Sequence, residues 1–240
     1  MNNLILVRHG QSIWNLEKRF TGWADVDLTD RGKSEAKYAG ELIRNTNIKF
    51  DVYFTSLQKR AVNTLEIILN ILDTKNLTIN KAWELNERHY GGLTGLNKDE
   101  ITKKHGEKKV RIWRRSFNTP PPPMKQENPY HPFKNKAYKN IPKNKIPNCE
   151  SLKNTFDRVV PYYEKNIKPL ILTKKNILIV AHGNSLRALC KKIFKVSEKK
   201  IIEFEIPTGN PLRIAFDENF LVKEYKYLDI KRAKNILINV

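Results

Sequence analysis

Cysteine is scarce in this 240-residue chain, with Cys149 and Cys190 as its two examples. Two cysteines exclude a disulfide framework and fit free thiols in a reducing compartment. Long apolar runs are missing too. Stretches such as Ile177-Leu178-Ile179-Val180-Ala181 are strand-sized, whereas a membrane crossing takes roughly 20 such residues. The N-terminus has no basic segment ahead of an apolar core, so a cytoplasmic protein without a signal peptide and without a membrane partner is expected. Acidic residues are few: 25 Asp and Glu face 45 Lys and Arg, a net charge of +20. Such a balance attracts anions, whether nucleic acid, acidic membrane surfaces or phosphorylated metabolites. Many of the lysines alternate with asparagine, as in Lys143-Asn144-Lys145, which is the look of a solvated surface. Hydrophobic residues at 40% and aromatic residues at 10% are ordinary for a globular chain with a full core.

What is present is an alternation of strand and helix. Leu4–Val7, Val52–Phe54, Leu77–Trp83 and Asn176–Ala181 read as short buried strands, with two more around Leu212–Phe216 and Leu221–Tyr225. Thr29 or Asp30 can cap a helix over about 31–45 with Ala36, Ala39 and Ile43 on one face. Ser56 is placed to cap a second helix, whose stripe runs Leu57, Ala61, Leu65, Ile68, Leu69 and Leu72. Another stripe begins at Leu152, with a kink expected at Pro161. Continuous apolar strands between amphipathic helices predict an α/β, three-layer fold: a mainly parallel central sheet flanked by helices on both faces. Eight of the 12 prolines fall within the 28 positions from Pro120 to Pro147. One domain over 1–240 is therefore expected, with an irregular Pro-rich insertion at about 95–150 and a basic tail from about 227.

The chemistry sits in an internal echo. Leu6-Val7-Arg8-His9-Gly10-Gln11-Ser12 resembles Ile179-Val180-Ala181-His182-Gly183-Asn184-Ser185, each a His-Gly pair directly after an apolar strand. Carboxyl ends of strands form the ligand crevice of open α/β sheets, so the two imidazoles face each other if their strands are neighbours. The glycines are expected to let backbone N–H groups approach a ligand. No His-x-x-x-His or Cys-x-x-Cys spacing accompanies them, and no metal is expected. The surroundings are cationic and amide-bearing, with Arg8, Gln11 and Asn15 next to His9, which suits a phosphoryl oxyanion. Ser12, Thr21 and Gly22 add neutral donors. Arg60 opens the helix after the second strand, and Glu87 follows the third strand as a candidate general acid and base. Lys98, Arg114 and Arg115 begin the irregular stretch. Cys149 has no adjacent base and reads as inert.

Arg8-His9-Gly10-Gln11-Ser12 with Trp14-Asn15, Phe20-Thr21-Gly22-Trp23, Ser56-Leu57 with Arg60-Ala61, Leu85-Asn86-Glu87-Arg88-His89-Tyr90-Gly91, Arg114-Arg115 and Ala181-His182-Gly183-Asn184 stand in one order along the chain. Together they resemble the cofactor-dependent phosphoglycerate mutases of the histidine phosphatase superfamily. The resemblance implies interconversion of 3- and 2-phosphoglycerate, primed by 2,3-bisphosphoglycerate. It implies a phosphorylated nucleophile at His9, phosphoryl contacts from Arg8, Arg60, His182 and Asn15, and proton transfer by Glu87. It further implies substrate contacts along the matching segments: Gly10, Gln11, Ser12, Thr21 and Gly22; Arg88, His89, Tyr90 and Lys98; Arg114, Arg115, Gly183 and Asn184. A homodimer or homotetramer is implied as well. The rival readings are a bisphosphoglycerate synthase or phosphatase of the same superfamily and, from another class, a basic nucleic-acid-binding protein, for which no groove-reading motif is seen. Ser12 and Thr21-Gly22 are the mutase-type residues at positions where the synthases carry others. If the surplus charge steers a small anionic substrate, raising the ionic strength lowers kcat/KM; steady-state rates across a salt series check this.

Overall fold

The computed structural model describes residues 2–74 and 77–233. Six strands, β1 (Asn2–Arg8), β2 (Val52–Thr55), β3 (Ile79–Lys81), β4 (Ile177–Ala181), β5 (Leu212–Phe216) and β6 (Val222–Tyr227), form one sheet in the order β3-β2-β4-β1-β5-β6. The three pairings from β3 to β1 are parallel and the two that add β5 and β6 are antiparallel. Only five residues separate β5 from β6, enough for a hairpin and too few for a parallel crossover.

Side-chain alternation divides the core between the two faces of the sheet. Ile5, Val7, Tyr53, Leu178 and Val180 pack with Ala39 and Ile43 of α2 (Asp30–Arg44) and Leu65, Ile68 and Leu69 of α3 (Lys59–Leu72). Their neighbours Leu4, Leu6, Phe54, Ile177 and Ile179 pack on the other face, under α6 (Leu152–Tyr162) and α8 (Gly183–Ile193). The remaining helices are short: α1 (Ile13–Leu16), α4 (Lys98–His105), α5 (Glu107–Arg115), α7 (Lys168–Leu172) and α9 (Glu198–Ile201). Thr29 caps α2, its Oγ1 accepting from Gly32 N at 3.0 Å, and Asp30 lies in the first turn near the positive end of the helix.

Several expectations are corrected. Ser56 does not cap α3. The cap position is Gln58, without a side-chain capping bond, and Ser56 Oγ accepts from Gln58 N while standing 2.7 Å from His182 Nε2. The third strand is three residues long, because the chain enters a 3-10 turn at Trp83–Leu85. Helix α6 runs through Pro161, and the irregularity that this missing donor brings appears next to it as a π-helical turn, Tyr163–Ile167. The stretch 95–150 is irregular only in its second part: α4 and α5 occupy 98–115, and three single 3-10 turns punctuate the remainder. That remainder is packed. Met124, Tyr138 and Ile141 are buried, and Tyr138 Oη donates to Trp23 O at 2.8 Å. Of the basic tail, Tyr227 closes β6, Lys231–Ala233 forms one 3-10 turn, and positions 234–240 lie outside the described residues.

Ile179 is fully buried at the centre of the sheet between β1 and β2. Ile179→Ala should cost about 2–5 kcal/mol, read as a lower urea midpoint.

Candidate active site

Strand β1 pairs with β4 in a register that sets Arg8 beside Ala181, and His9 N donates to Ala181 O at 3.0 Å. The next residue of each strand is therefore a histidine at the same edge. The two rings stand 5.0 Å apart between centroids, tilted by 59°. His9 Nδ1 lies 2.7 Å from Gly10 O. A carbonyl only accepts, so Nδ1 carries the proton and Nε2 is left unprotonated with its lone pair. Arg60 Nε donates to that Nε2 at 3.3 Å. Burial, then the Arg60 and Arg8 charges, hold His9 well below its ordinary pKa, against the opposing bond to Gly10 O. Burial and then Arg60, His9, Arg158 and Arg8 do the same to His182. Both rings are neutral at physiological pH.

Arg60 is buried beneath this pair. It donates to Ala24 O at 3.0 Å, Gly22 O at 2.9 Å and Gln58 Oε1 at 3.3 Å. Arg8 donates to Ile206 O at 2.9 Å, and its buried Nε has no partner among the described residues. Glu87 turns its Oε1 to Arg88 N at 2.8 Å and Asn184 N at 3.1 Å. Its own segment is clamped: Arg158 reaches Glu84 O and Glu87 O while pairing with Glu150, and Trp23 Nε1 donates to Glu87 O at 2.7 Å.

A cleft of about 290 Å³ opens above these groups. Of the residues expected from sequence, Arg8, His9, Asn15, Thr21, Arg60 and Glu87 line it, as do Tyr90, Lys98, Arg114, Arg115, Gly183 and Asn184. The others stand outside its lining among the described residues. His182 is wholly buried beside His9. Gly10 donates to Thr64 Oγ1 at 3.1 Å, and a Cβ there would lie 2.1 Å from Gly32 O. Its bare backbone thus serves the packing of α2 against β1 rather than a ligand's approach. Gln11 meets Thr29, and Ser12 caps α1 in a reciprocal box with Asn15. Gly22 supplies a carbonyl to Arg60 at φ 53°. Arg88 is buried over the Tyr90 ring and donates to Arg114 O. His89 N donates to Glu150 and His89 Nδ1 accepts from Gly91 N; burial pushes the imidazole down to about 3.

The sequence reading missed Arg19, Arg187, Phe204 and Glu205, which also line the cleft. Arg187 had a signal, since it sits three residues after Asn184 on α8 and shares its face; Arg187 Nη1 donates to Asn184 Oδ1 at 3.0 Å. Burial, then the Arg88 and Arg115 charges, push Arg187 down to about 10, so it remains a cation at neutral pH. Seven cations, Arg8, Arg19, Arg60, Lys98, Arg114, Arg115 and Arg187, thus face two carboxylates, Glu87 and Glu205. Among the described residues only Arg19 and Arg115 of the seven form an ion pair within 4.0 Å. The cleft is built for a multiply charged anion.

A mixed sheet with a neutral histidine and a histidine-arginine cradle at its strand ends defines the class. The family model for the histidine phosphatase superfamily (branch 1) matches residues 4–141 and 126–225. Solved structures share the fold. The mycobacterial glucosyl-3-phosphoglycerate phosphatase superposes with a TM-score of 0.69 at 18% identity over 95% of this chain and 97% of that one. The α-ribazole phosphatase of Shigella flexneri gives 0.67 at 21% over 92% and 96%. Among curated proteins, the 2,3-bisphosphoglycerate-dependent phosphoglycerate mutase of Pelagibacter ubique (strain HTCC1062) is 56% identical over 99% of this chain and its own full length. The enzyme of the same name from Maricaulis maris (strain MCS10) is 49% identical over 98% and 97%. The chain belongs to this superfamily and, within it, to the family of the 2,3-bisphosphoglycerate-dependent phosphoglycerate mutases.

A histidine held neutral in the native state takes up its proton on unfolding, so stability is retained above pH 6.5 and declines as pH falls below it. His182→Asn should remove about 1.4 kcal/mol of the decline between pH 7.5 and 5.5, measured by urea unfolding at both values. An unchanged decline would contradict a neutral His182.

Proposed function

We propose that this chain interconverts 3-phosphoglycerate and 2-phosphoglycerate through a phosphohistidine at His9. The carrying observation is the placement of His9 Nε2, an unprotonated nitrogen between Arg60 and His182 at the foot of a cleft rich in unpaired cations. The same cations, with the unpartnered Arg8 Nε, fit 2,3-bisphosphoglycerate. When bound, that cofactor supplies the phosphoryl group with which His9 is charged.

The protein's share of the chemistry is positioning and electrostatics. The carbonyl of Gly10 holds the His9 tautomer, so Nε2 faces the phosphorus as a nucleophile without first losing a proton. Arg60, fixed by Ala24 O and Gly22 O, turns its Nε from His9 Nε2 to an equatorial phosphoryl oxygen. Arg8 and Asn15 add donors around the same group. Ser56 Oγ accepts from Gln58 N and stands 2.7 Å from His182 Nε2, which fixes the His182 ring beside the transferring group. Glu87, its Oε1 engaged by two backbone amides, takes and returns the substrate's hydroxyl proton through Oε2. Such a positioned carboxylate contributes roughly 10²–10⁴ in rate. Lys98, Arg114 and Arg115 hold the carboxylate and the second phosphate. Residues 116–150 contribute nothing to the lining among the described residues.

This reading carries a cytoplasmic homodimer or homotetramer with it. Three cations from α4 and α5 beyond the histidine centre suit a second acid group, which favours the mutase over simple hydrolysis. Incubation with labelled 2,3-bisphosphoglycerate should give an acid-labile phosphoenzyme, absent in His9→Ala, that passes its label to 3-phosphoglycerate. Release of the label mainly to water would make the chain a phosphatase.

A further inference from the structure

Glu205 is the carboxylate of the cleft that the mechanism above does not use. It lies on the link between α9 and β5, and cleft arginines hold the chain on either side of it. Arg187 Nη2 donates to the carbonyls of Ile201 and Ile202, and Arg8 Nη1 donates to Ile206 O at 2.9 Å. Between these anchors the Glu205 carboxylate pairs with Arg115. Burial raises its pKa, but the bond to Arg115 and the charges of Arg115, Arg8 and Arg187 outweigh it and hold the carboxyl below its usual range. Glu205 is thus an anion in place among three guanidinium groups that otherwise await a ligand.

The pair has a second feature. Arg115 and Glu205 also line an adjoining hollow of about 370 Å³ between α5 and residues 202–205, so they form the wall shared by the two cavities. A ligand acid group that takes the Arg115 Nη2 donor held by Glu205 displaces the Glu205 side chain. About half of that side chain is solvent-exposed, so it has room to swing away. Its charge stays at the rim of the cleft and repels what has bound. That repulsion grows with each negative charge the ligand carries, whereas loss of the single pair costs every ligand alike.

We infer that Glu205 sets charge selectivity: by competing for Arg115 and staying at the rim, it weakens the hold on a bisphosphorylated three-carbon acid more than on a monophosphorylated one. The inference rests on the phosphoglycerate reading. Its consequence is that the more highly charged ligand does not saturate the cleft and shut out the monophosphate that must enter and leave in every cycle.

The test is equilibrium binding by titration calorimetry, independent of turnover. The full chain carries His9→Ala to prevent transfer, with and without Glu205→Gln, which keeps the shape and removes the charge. The ligands are 3-phosphoglycerate and 2,3-bisphosphoglycerate at fixed pH and ionic strength. Glu205→Gln should tighten the bisphosphate by about tenfold and 3-phosphoglycerate by no more than about threefold. In an Arg115→Ala background, Glu205→Gln should lose the part of the tightening that is common to both ligands and keep the difference between them. Equal tightening of both ligands, no change, weaker binding, or a selectivity gain that disappears with Arg115→Ala would overturn the inference. Binding of neither ligand to any of the variants would instead overturn the phosphoglycerate reading and, with it, this one.

Discussion

Two imidazoles at neighbouring strand ends share a buried space with the guanidinium of Arg60 and the edge of Arg8, and they can do so only while both are uncharged. The sheet creates this constraint. Parallel pairing of β1 and β4, in the register that matches Arg8 with Ala181, leaves His9 and His182 no choice but adjacency. A third buried cation there would be opposed by the other charges and by lost hydration. Arg60 itself is tied to backbone carbonyls and to Gln58 rather than to a carboxylate. The native protein therefore holds positive charge at a point where its own acidic groups do not neutralise it, and that unmet charge makes the cleft a site for phosphoryl groups.

The rest of the architecture keeps the centre rigid. Gly10 and Gly32 remove side chains where the turn after β1 meets the start of α2, where each Cβ would fall about 2 Å from a backbone oxygen of the other segment. Glu150 and Arg158 form a buried pair, with side chains 3% and 8% exposed, that closes over the 84–89 segment. The pair binds the backbone at Glu84, Glu87 and His89, so the general acid and base is carried on a fixed strap. The 116–150 segment, proline-rich and almost without helix, is anchored by Tyr138 on Trp23 behind the same strap.

Much of this was legible in the sequence because the relevant signals are local. An apolar strand followed by His-Gly, twice, announces two strand ends, and the unbroken apolar runs Leu4–Val7 and Ile177–Ala181 announce burial on both faces. What escaped is what only the tertiary fold brings together. Glu205 and Phe204 lie on a link with no periodicity, and Arg19 follows a four-residue helix. Ser56 has the composition of a helix cap, yet its hydroxyl belongs to a histidine 126 positions away. Helices α4 and α5 were hidden by the prolines that follow them and by their strongly charged sequences, in which the buried face comes down to Ile101, Val110 and Trp113.

The central claim is that His9 is a neutral nucleophile with its proton on Nδ1. Nitrogen-resolved NMR of the ring, in protein labelled at histidine and titrated from pH 8 to pH 5.5, tests it without substrate. The account predicts one neutral tautomer throughout, protonated at Nδ1, with no midpoint near 6.5. A His9 ring that charges around pH 6.5, or that carries its proton on Nε2, would contradict it.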